Sequence, residues 1–443
     1  MTALKILIIA LFVWAWLKSR SSRTAEVSDF FVISFLAVYM PGFLLNPSGS
    51  TSLNALSLPQ SAVVRAETAM LVVLGLGSVV MLLRCLVHRK LPIRGPVVVM
   101  TPPPRLSTVL AWSAAGVSAL VFCALLLNPE FRSFKLDVAK FFTFQFYGNE
   151  YRVLRNVRYA DVWLLEQALG RARFTLFPVL FCLVIYPLLK GRHLLIAAAA
   201  ALVFFIALPA SLSKLPVFFF LGYAALLVAA RWPRLQDIGW ISVMALVAGL
   251  LGVTMLILLY SAQYQASVIN GAVLPLNLAI ERIWGEPYSI VVRYFAVYPD
   301  MLPFTGWNGI GAIANLLGLP PRLPDIEVAR TLLGPDSGSN PGAFFLGGYA
   351  SFALAGLCVF AALGWLMLWA LDLVGRAIRV PALKATYTAV IGMNVLFLNQ
   401  IALHTALLTY GLAVVPVLIF IIDRVCTALA SPSTGKGPSN RAG

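Results

Sequence analysis

The chain has 443 residues, 60% of them hydrophobic and 11% charged, and it carries a formal charge of +16. Soluble domains hold about 25% charged residues, and a surface as apolar as this one cannot be kept in water. A soluble enzyme, a disordered chain and a secreted disulfide scaffold are excluded. The composition is that of an all-α, polytopic integral membrane protein. In a soluble protein the positive surplus would suggest nucleic acid. Here it reads as topology, and no nucleic-acid partner is expected.

A membrane span needs about 20 mostly apolar residues. Eleven runs fit, near 3–17, 30–45, 66–83, 107–128, 172–189, 194–210, 215–230, 239–260, 343–371, 386–403 and 405–422, with ten to twelve defensible. The first run is followed by Lys18, Arg20 and Arg23 and has no small-residue cleavage site, so it reads as a retained helix. Basic residues crowd 18–23, 84–105, 190–192, 231–234, 376–384 and the tail after Arg424. These segments hold 18 of the 33 Lys and Arg against five acids, a net +13. That side is predicted to be cytoplasmic. The other side keeps 15 basic and 12 acidic residues, a net +3. The expected layout is one membrane domain over 1–430, with the N-terminus outside, and a disordered cytoplasmic tail over 431–443.

Five cysteines, Cys85, Cys123, Cys182, Cys358 and Cys426, form no CxxC and no Cys–His cluster, so they read as small core hydrophobes. No metal and no other cofactor is expected.

The outer side carries two long connections, about 129–171 and 261–342, where function is expected. In the first, Arg152, Arg155 and Arg158 recur every third residue, followed by Asp161, Glu166, Arg171 and Arg173. On a helix the three arginines share one face. Either they meet lipid phosphates from the membrane surface, or Arg158, Arg171 and Arg173 grip a pyrophosphate through paired guanidinium bonds.

In the second connection, 279–288 reads as a surface helix bearing Glu281, Arg282 and Glu286, followed by Arg293, Tyr294, Asp300 and Arg322. Trp284, Tyr288, Tyr298 and Trp307 lie among these charges. Such aromatics suit stacking on sugar rings and equally suit an interfacial belt.

Lys214 sits in a short hairpin, 209–216, outward against the charge rule. It either snorkels to headgroups or stands over a lipid pyrophosphate. His404 is the one histidine expected near the outer face. It is a candidate base, unless Asn399, Gln400 and Thr405 satisfy it by hydrogen bonding.

Absent patterns also discriminate. The span centres are nearly free of ionisable residues, against an ion-coupled transporter. No Walker A, GxSxG or HExxH occurs. Gly75/Gly77 and Gly347/Gly348 lie in apolar runs and suit helix packing.

Many spans with two long outer loops resemble the Wzy-type O-antigen polymerases, which join oligosaccharide repeat units of bacterial surface polysaccharides. The local patterns are Arg173-Phe-Thr-Leu-Phe-Pro, Ser213-Lys214-Leu-Pro, Glu281-Arg282-Ile with aromatics through Tyr294, and Ser339-Asn340 through Gly347-Gly348-Tyr349 with Gly356. Together they cover roughly 150–420.

The resemblance implies undecaprenyl-pyrophosphate-linked glycans as donor and acceptor at the periplasmic face of a bacterial inner membrane. It also implies a flippase and a chain-length regulator as pathway partners. Arg158, Arg171, Arg173, Lys214, Arg282, Arg293 and Arg322 would then hold pyrophosphates or other substrate groups, and Asp161, Glu166, Glu281 or His404 would take the acceptor proton. An O-antigen ligase or other lipid-linked glycosyltransferase is the alternative within the class. A transporter or flippase is the alternative outside it.

Overall fold

The computed structural model describes residues 2–20, 26–45, 58–90, 104–127, 171–189, 193–207, 214–231, 284–335 and 339–430. Among these, every regular element is helical. The longer helices are α1 (Thr2–Ser19), α2 (Val27–Leu45), α3 (Gln60–Lys90), α4 (Pro104–Leu127), α5 (Leu176–Leu188), α6 (Leu194–Ala207) and α7 (Lys214–Arg231). After them come α8 (Glu286–Val297), α9 (Gly311–Leu316), α10 (Pro324–Leu333), α11 (Leu346–Ala377), α12 (Pro381–Asn394), α13 (Leu403–Thr409) and α14 (Val414–Ala430).

Described helices overlie ten of the eleven predicted runs; 239–260 lies outside the described residues. Among the described residues, five helices, Thr2–Ser19, Val27–Leu45, Gln60–Val87, Leu346–Ala377 and Pro381–Asn399, are long and apolar enough to span a bilayer. A sixth results if Leu403–Thr409 and Val414–Leu429, bent by 42°, count as one. Of the other apolar helices, α5 and α6 have only 13 and 14 residues. At 1.5 Å per residue, α5 extends about 20 Å, short of the ~30 Å hydrocarbon core.

In lipid, helices associate through close packing and polar contacts, since tails are as apolar as leucine. Both devices are present. Trp365 of α11 is fully buried at a junction of α1, α2, α3 and α11, with Phe12 at 5.2 Å, Phe31 at 5.5 Å, Phe35 at 6.0 Å and Phe344 at 6.1 Å between ring centroids. Its indole N–H donates to the Val73 carbonyl at 3.1 Å. Gly77 makes this approach possible, because a Cβ there would lie 2.7 Å from Phe12 and 2.8 Å from Trp365. Gly75 faces open space. Of that predicted packing pair, one member packs. A second seam joins α7 to the 3-10 segment that follows α12, where Phe219 stacks on Phe397 at 4.1 Å.

One end of the bundle is closed by a polar junction. Arg84 and Asp372 are buried and 2.6 Å apart; Arg84 also pairs with Glu26 and donates to Ser28 Oγ at 3.0 Å. Arg376 meets Glu26 at 2.6 Å, Trp16 donates to Asp29 at 2.8 Å, and Asp423 accepts from the Arg379 and Val380 amides. These residues belong to the segments that charge counting assigned to a single side. Buried charges in such surroundings are tolerated when paired, as Arg84, Glu26 and Asp372 are; Asp423 is held by backbone amides at Oδ1 alone.

The long run predicted at 343–371 is not one helix axis. Phe352 (φ −134°, ψ 29°) and Ala353 (φ 56°, ψ −146°) break α11, and the chain folds back on itself so tightly that Gly348 and Gly356 touch backbone to backbone. A methyl on either glycine would overlap the other's carbonyl oxygen. The predicted helix at 386–403 likewise turns into a 3-10 segment over Val395–Asn399.

Candidate functional site

The opposite end of the bundle is capped by 284–345. The segment starts with α8, favoured by Pro287 in its first turn and by Glu286 at its positive N-terminal end. Residues 279–283 of the surface helix expected over 279–288 lie outside the described residues. From Glu286 onward α8 packs against α2 and α3, with Tyr288, Val291, Val292 and Arg293 buried. Two turns separate Glu286 from Arg293, which puts both on one face.

There the guanidinium meets the carboxylate end-on, through both Nη atoms. Arg293 Nη1 lies 2.9 Å from Glu286 Oε1 and Nη2 lies 3.3 Å from Oε2. Nη1 also donates to Asn340 Oδ1 at 3.2 Å. Asn340 is fixed by its own amide on the Asp325 carbonyl at 2.9 Å, and its carbonyl accepts from the Tyr294 hydroxyl at 3.4 Å. Arg293 Nε and Asn340 Nδ2 are buried donors without a partner.

Two further arginine–carboxylate pairs flank this one. Arg322 donates from Nε to Glu327 Oε1 at 2.6 Å and from Nη2 to Oε2 at 2.8 Å, and the Tyr298 hydroxyl donates to the same carboxylate at 2.6 Å. Glu327 sits in the first turn of α10, where a negative charge complements the helix dipole. Arg65, near the start of α3, pairs with Asp300 and donates to the Phe295 carbonyl at 2.8 Å. Beside it lies an open cleft of ≈ 520 Å³ lined by Gln60, Ser61, Val64, Arg65 and Asp300.

The hydrogen bond from Arg65 holds the exposed Asp300 carboxyl below the usual carboxylate range. Burial pushes Asp325 the other way, above it, although backbone amides at 325 and 326 favour its charged form. Burial and then the bond to Glu327 push the Tyr298 hydroxyl well up, so it stays a donor at neutral pH.

His404 belongs to the bent pair α13–α14. Phe360 presents its ring edge-on at 6.3 Å, and Nδ1 is buried without a hydrogen-bond partner. Of the neighbours expected to satisfy it, Asn399 donates its amide to Ser34 Oγ at 2.8 Å instead. The stretch before α11 ties this region to the cap, since Phe344 N–H donates to the Leu398 carbonyl and Leu403 N–H to the Phe344 carbonyl.

Of the other residues singled out in the sequence, Arg171 is exposed and Arg173 half-buried at the entrance to α5. The adjoining Phe174 packs on Phe397 and Tyr410. Lys214 opens α7, and its side chain is outside the described set. Arg158, Asp161, Glu166, Glu281 and Arg282 lie outside the described residues. The cap therefore brings Arg293 and Arg322 to the same end of the bundle, each already engaged by a carboxylate.

Sequence reading passed over Arg65, Glu286, Glu327 and Asn340 as site residues. The seven-residue spacing of Glu286 and Arg293 was the one local signal. Among the described residues, no three His, Cys, Asp or Glu side chains come together as a metal site would require.

Comparison with family models, with curated proteins and with solved structures gives no match. What stands is the class of protein: a helical membrane protein with a polar, arginine-rich cap at one end.

Proposed function

We propose that the chain is a membrane glycosyltransferase of the polysaccharide-polymerase kind. It joins undecaprenyl-pyrophosphate-linked repeat units into O-antigen, capsule or exopolysaccharide at the periplasmic face of the inner membrane. The observation that carries this reading is the cap, where arginines 65, 293 and 322 stand with carboxylates and tyrosines at the end opposite the charge-rich junction.

In such a transfer the leaving group is a lipid pyrophosphate, whose charge grows as the glycosidic bond breaks. Fixed guanidinium groups in a site shielded from water stabilise that charge, each by about 3 kcal/mol. Arg322 and Arg65 are only partly buried, at 30% and 33% side-chain exposure, so a phosphate can exchange with the carboxylate each one holds. A carboxylate near the acceptor hydroxyl takes its proton. A flippase and a chain-length regulator are the partners this chemistry needs.

Deleting the gene in its host tests the reading. Single repeat units on the lipid, or a lost capsule, are expected in place of a polymer ladder. An intact ladder refutes it, and long polymer left on the lipid carrier points to a ligase instead.

A further inference from the structure

We infer that the stretch 301–321 is a membrane anchor for the cap, laying Trp307, Leu316 and Leu317 into the lipid leaflet on that side of the bilayer; this goes beyond the polymerase reading and does not rest on it. The first observation is charge. No Lys, Arg, His, Asp or Glu occurs between Asp300 and Arg322, although both flanks are rich in them, with Glu286, Arg293 and Asp300 before and Arg322, Asp325 and Glu327 after. A segment kept in water turns polar and charged groups outward. Here Leu316, Leu317 and Trp307 are turned outward instead, at 84%, 55% and 52% exposure. Apolar surface rimmed by polar residues marks a contact with another phase or molecule.

Depth identifies the partner as lipid. Trp307 packs against Phe352 at 4.8 Å between ring centroids, and the Thr305 amide donates to the Ala350 carbonyl at 2.9 Å, so the stretch is fastened to the break in α11. From Ala353 to the buried Asp372 at the opposite junction, α11 advances about 29 Å, close to the ~30 Å of a hydrocarbon core. Along it Val359, Leu363 and Leu366 are exposed at helical spacing, a face that in a spanning helix meets lipid. Trp307 therefore stands at the cap-side edge of that face, at the depth where indole rings concentrate. The backbone suits the same place. α9 ends at Gly318 (φ 67°), whose N–H donates to the Asn315 carbonyl at 3.3 Å, while Leu319 N–H donates to the Ala314 carbonyl at 2.8 Å. Pro320 and Pro321 have no N–H, and that of Arg322 donates to the Asn308 carbonyl at 2.9 Å. The turn closes on its own backbone, as entry into apolar surroundings requires.

Spin-label accessibility of the full chain in nanodiscs tests the anchor. Leu317→Cys is made with the five native cysteines replaced by alanine, beside Leu363→Cys as a reference in lipid and the exposed Arg330→Cys as a reference in water. The label at 317 is expected to relax with oxygen in preference to a soluble nickel chelate, as the label at 363 does. Preference for the chelate, as at 330, overturns the anchor. Protection from both reagents overturns it too and points to protein, such as a second copy, on this surface. A measurement that keeps the native cysteines guards against misfolding of the labelled chains. In nanodiscs of lipid brominated near the headgroup end of its acyl chains, the quenched part of the tryptophan emission should be smaller in Trp307→Phe than in wild type. Equal quenching in the two overturns the proposal, and neither readout depends on polymer being made.

Discussion

Arg84 and Asp372 stand 288 positions apart in the chain and meet at 2.6 Å, neither side chain open to solvent. Arg84 bonds Glu26 as well, and Glu26 is held in turn by Arg376. Two positive and two negative groups thus balance at the junction of α2, α3 and α11. Removing one member leaves a buried charge without a partner. Arg84→Leu is expected to cost about 3–5 kcal/mol, read as a lowered midpoint of thermal unfolding in nanodiscs. The pair Arg84→Leu and Asp372→Leu leaves Glu26 with Arg376 and should recover most of the loss. A double variant no better than the single one contradicts the pairing.

Ala353 carries φ 56° with ψ −146°, a region that a side chain with a Cβ rarely occupies. Such residues store about 1–3 kcal/mol. Ala353→Gly is therefore expected to raise the unfolding midpoint, even after the entropy that glycine loses on folding. Gly356→Ala should lower it, because the methyl meets the Gly348 carbonyl. The two opposite shifts distinguish a folded-back helix from a straight one.

Asn394 satisfies three groups inside the bundle. Its amide donates to the carbonyls of Phe174 at 2.7 Å and Tyr410 at 2.9 Å, and its oxygen accepts from the Tyr223 hydroxyl at 2.7 Å. Asn394→Leu orphans all three and should cost about 3 kcal/mol. Tyr223→Phe removes one bond and should cost about 1 kcal/mol. Thermal unfolding of the two variants side by side checks the ratio.

Two cap carboxylates respond to pH with opposite sign. Asp300 titrates below its unfolded value of about 3.9. Its contribution is present above that pH and fades as pH falls through the lowered value. Asp325 titrates above its unfolded value because of burial. Its contribution is full below about pH 3.9 and is lost as pH rises through the raised value. Hence Asp325→Asn should raise the unfolding midpoint at pH 7, whereas Asp300→Asn should lower it slightly, its bridge being exposed. Both differences should shrink towards pH 3 in a midpoint-against-pH series.

The functional reading makes its own demand on two residues named from sequence. Arg282→Ala and Lys214→Ala should abolish polymer while the protein still inserts, as judged by membrane-fraction immunoblot. Arg282→Lys should fail too if the phosphate contact is bidentate. Wild-type chain lengths in all three variants would make these charges lipid anchors and nothing more.

Which features could be read from the chain alone follows from how local their causes are. The apolar runs mark helices because hydropathy is summed along the sequence, and described helices lie on ten of the eleven runs. The grouping of Arg84, Arg376, Asp372, Glu26 and Asp423 at one end was legible from the alternation of charge between runs. Arg293 was visible as a charged residue among aromatics. Its burial was not, because the residues enclosing it come from other helices.

The length of individual helices was less legible. Composition cannot tell a 13-residue helix such as α5 from a full span when turn residues around it are themselves apolar.

By itself, then, the sequence determined the solvent of this protein: too few charges for water, helices as the backbone's way to satisfy itself in lipid, and a polar end opposite a basic one. The tertiary structure alone decided which charges meet. Partners such as Glu286 with Arg293, Arg322 with Glu327 and Arg65 with Asp300 turn free cations into paired ones. Pairing depends on distances of a few ångströms between side chains, and hydropathy along the chain carries no record of them. Among the described residues, the same packing left Arg293 Nε and Asn340 Nδ2 unpaired.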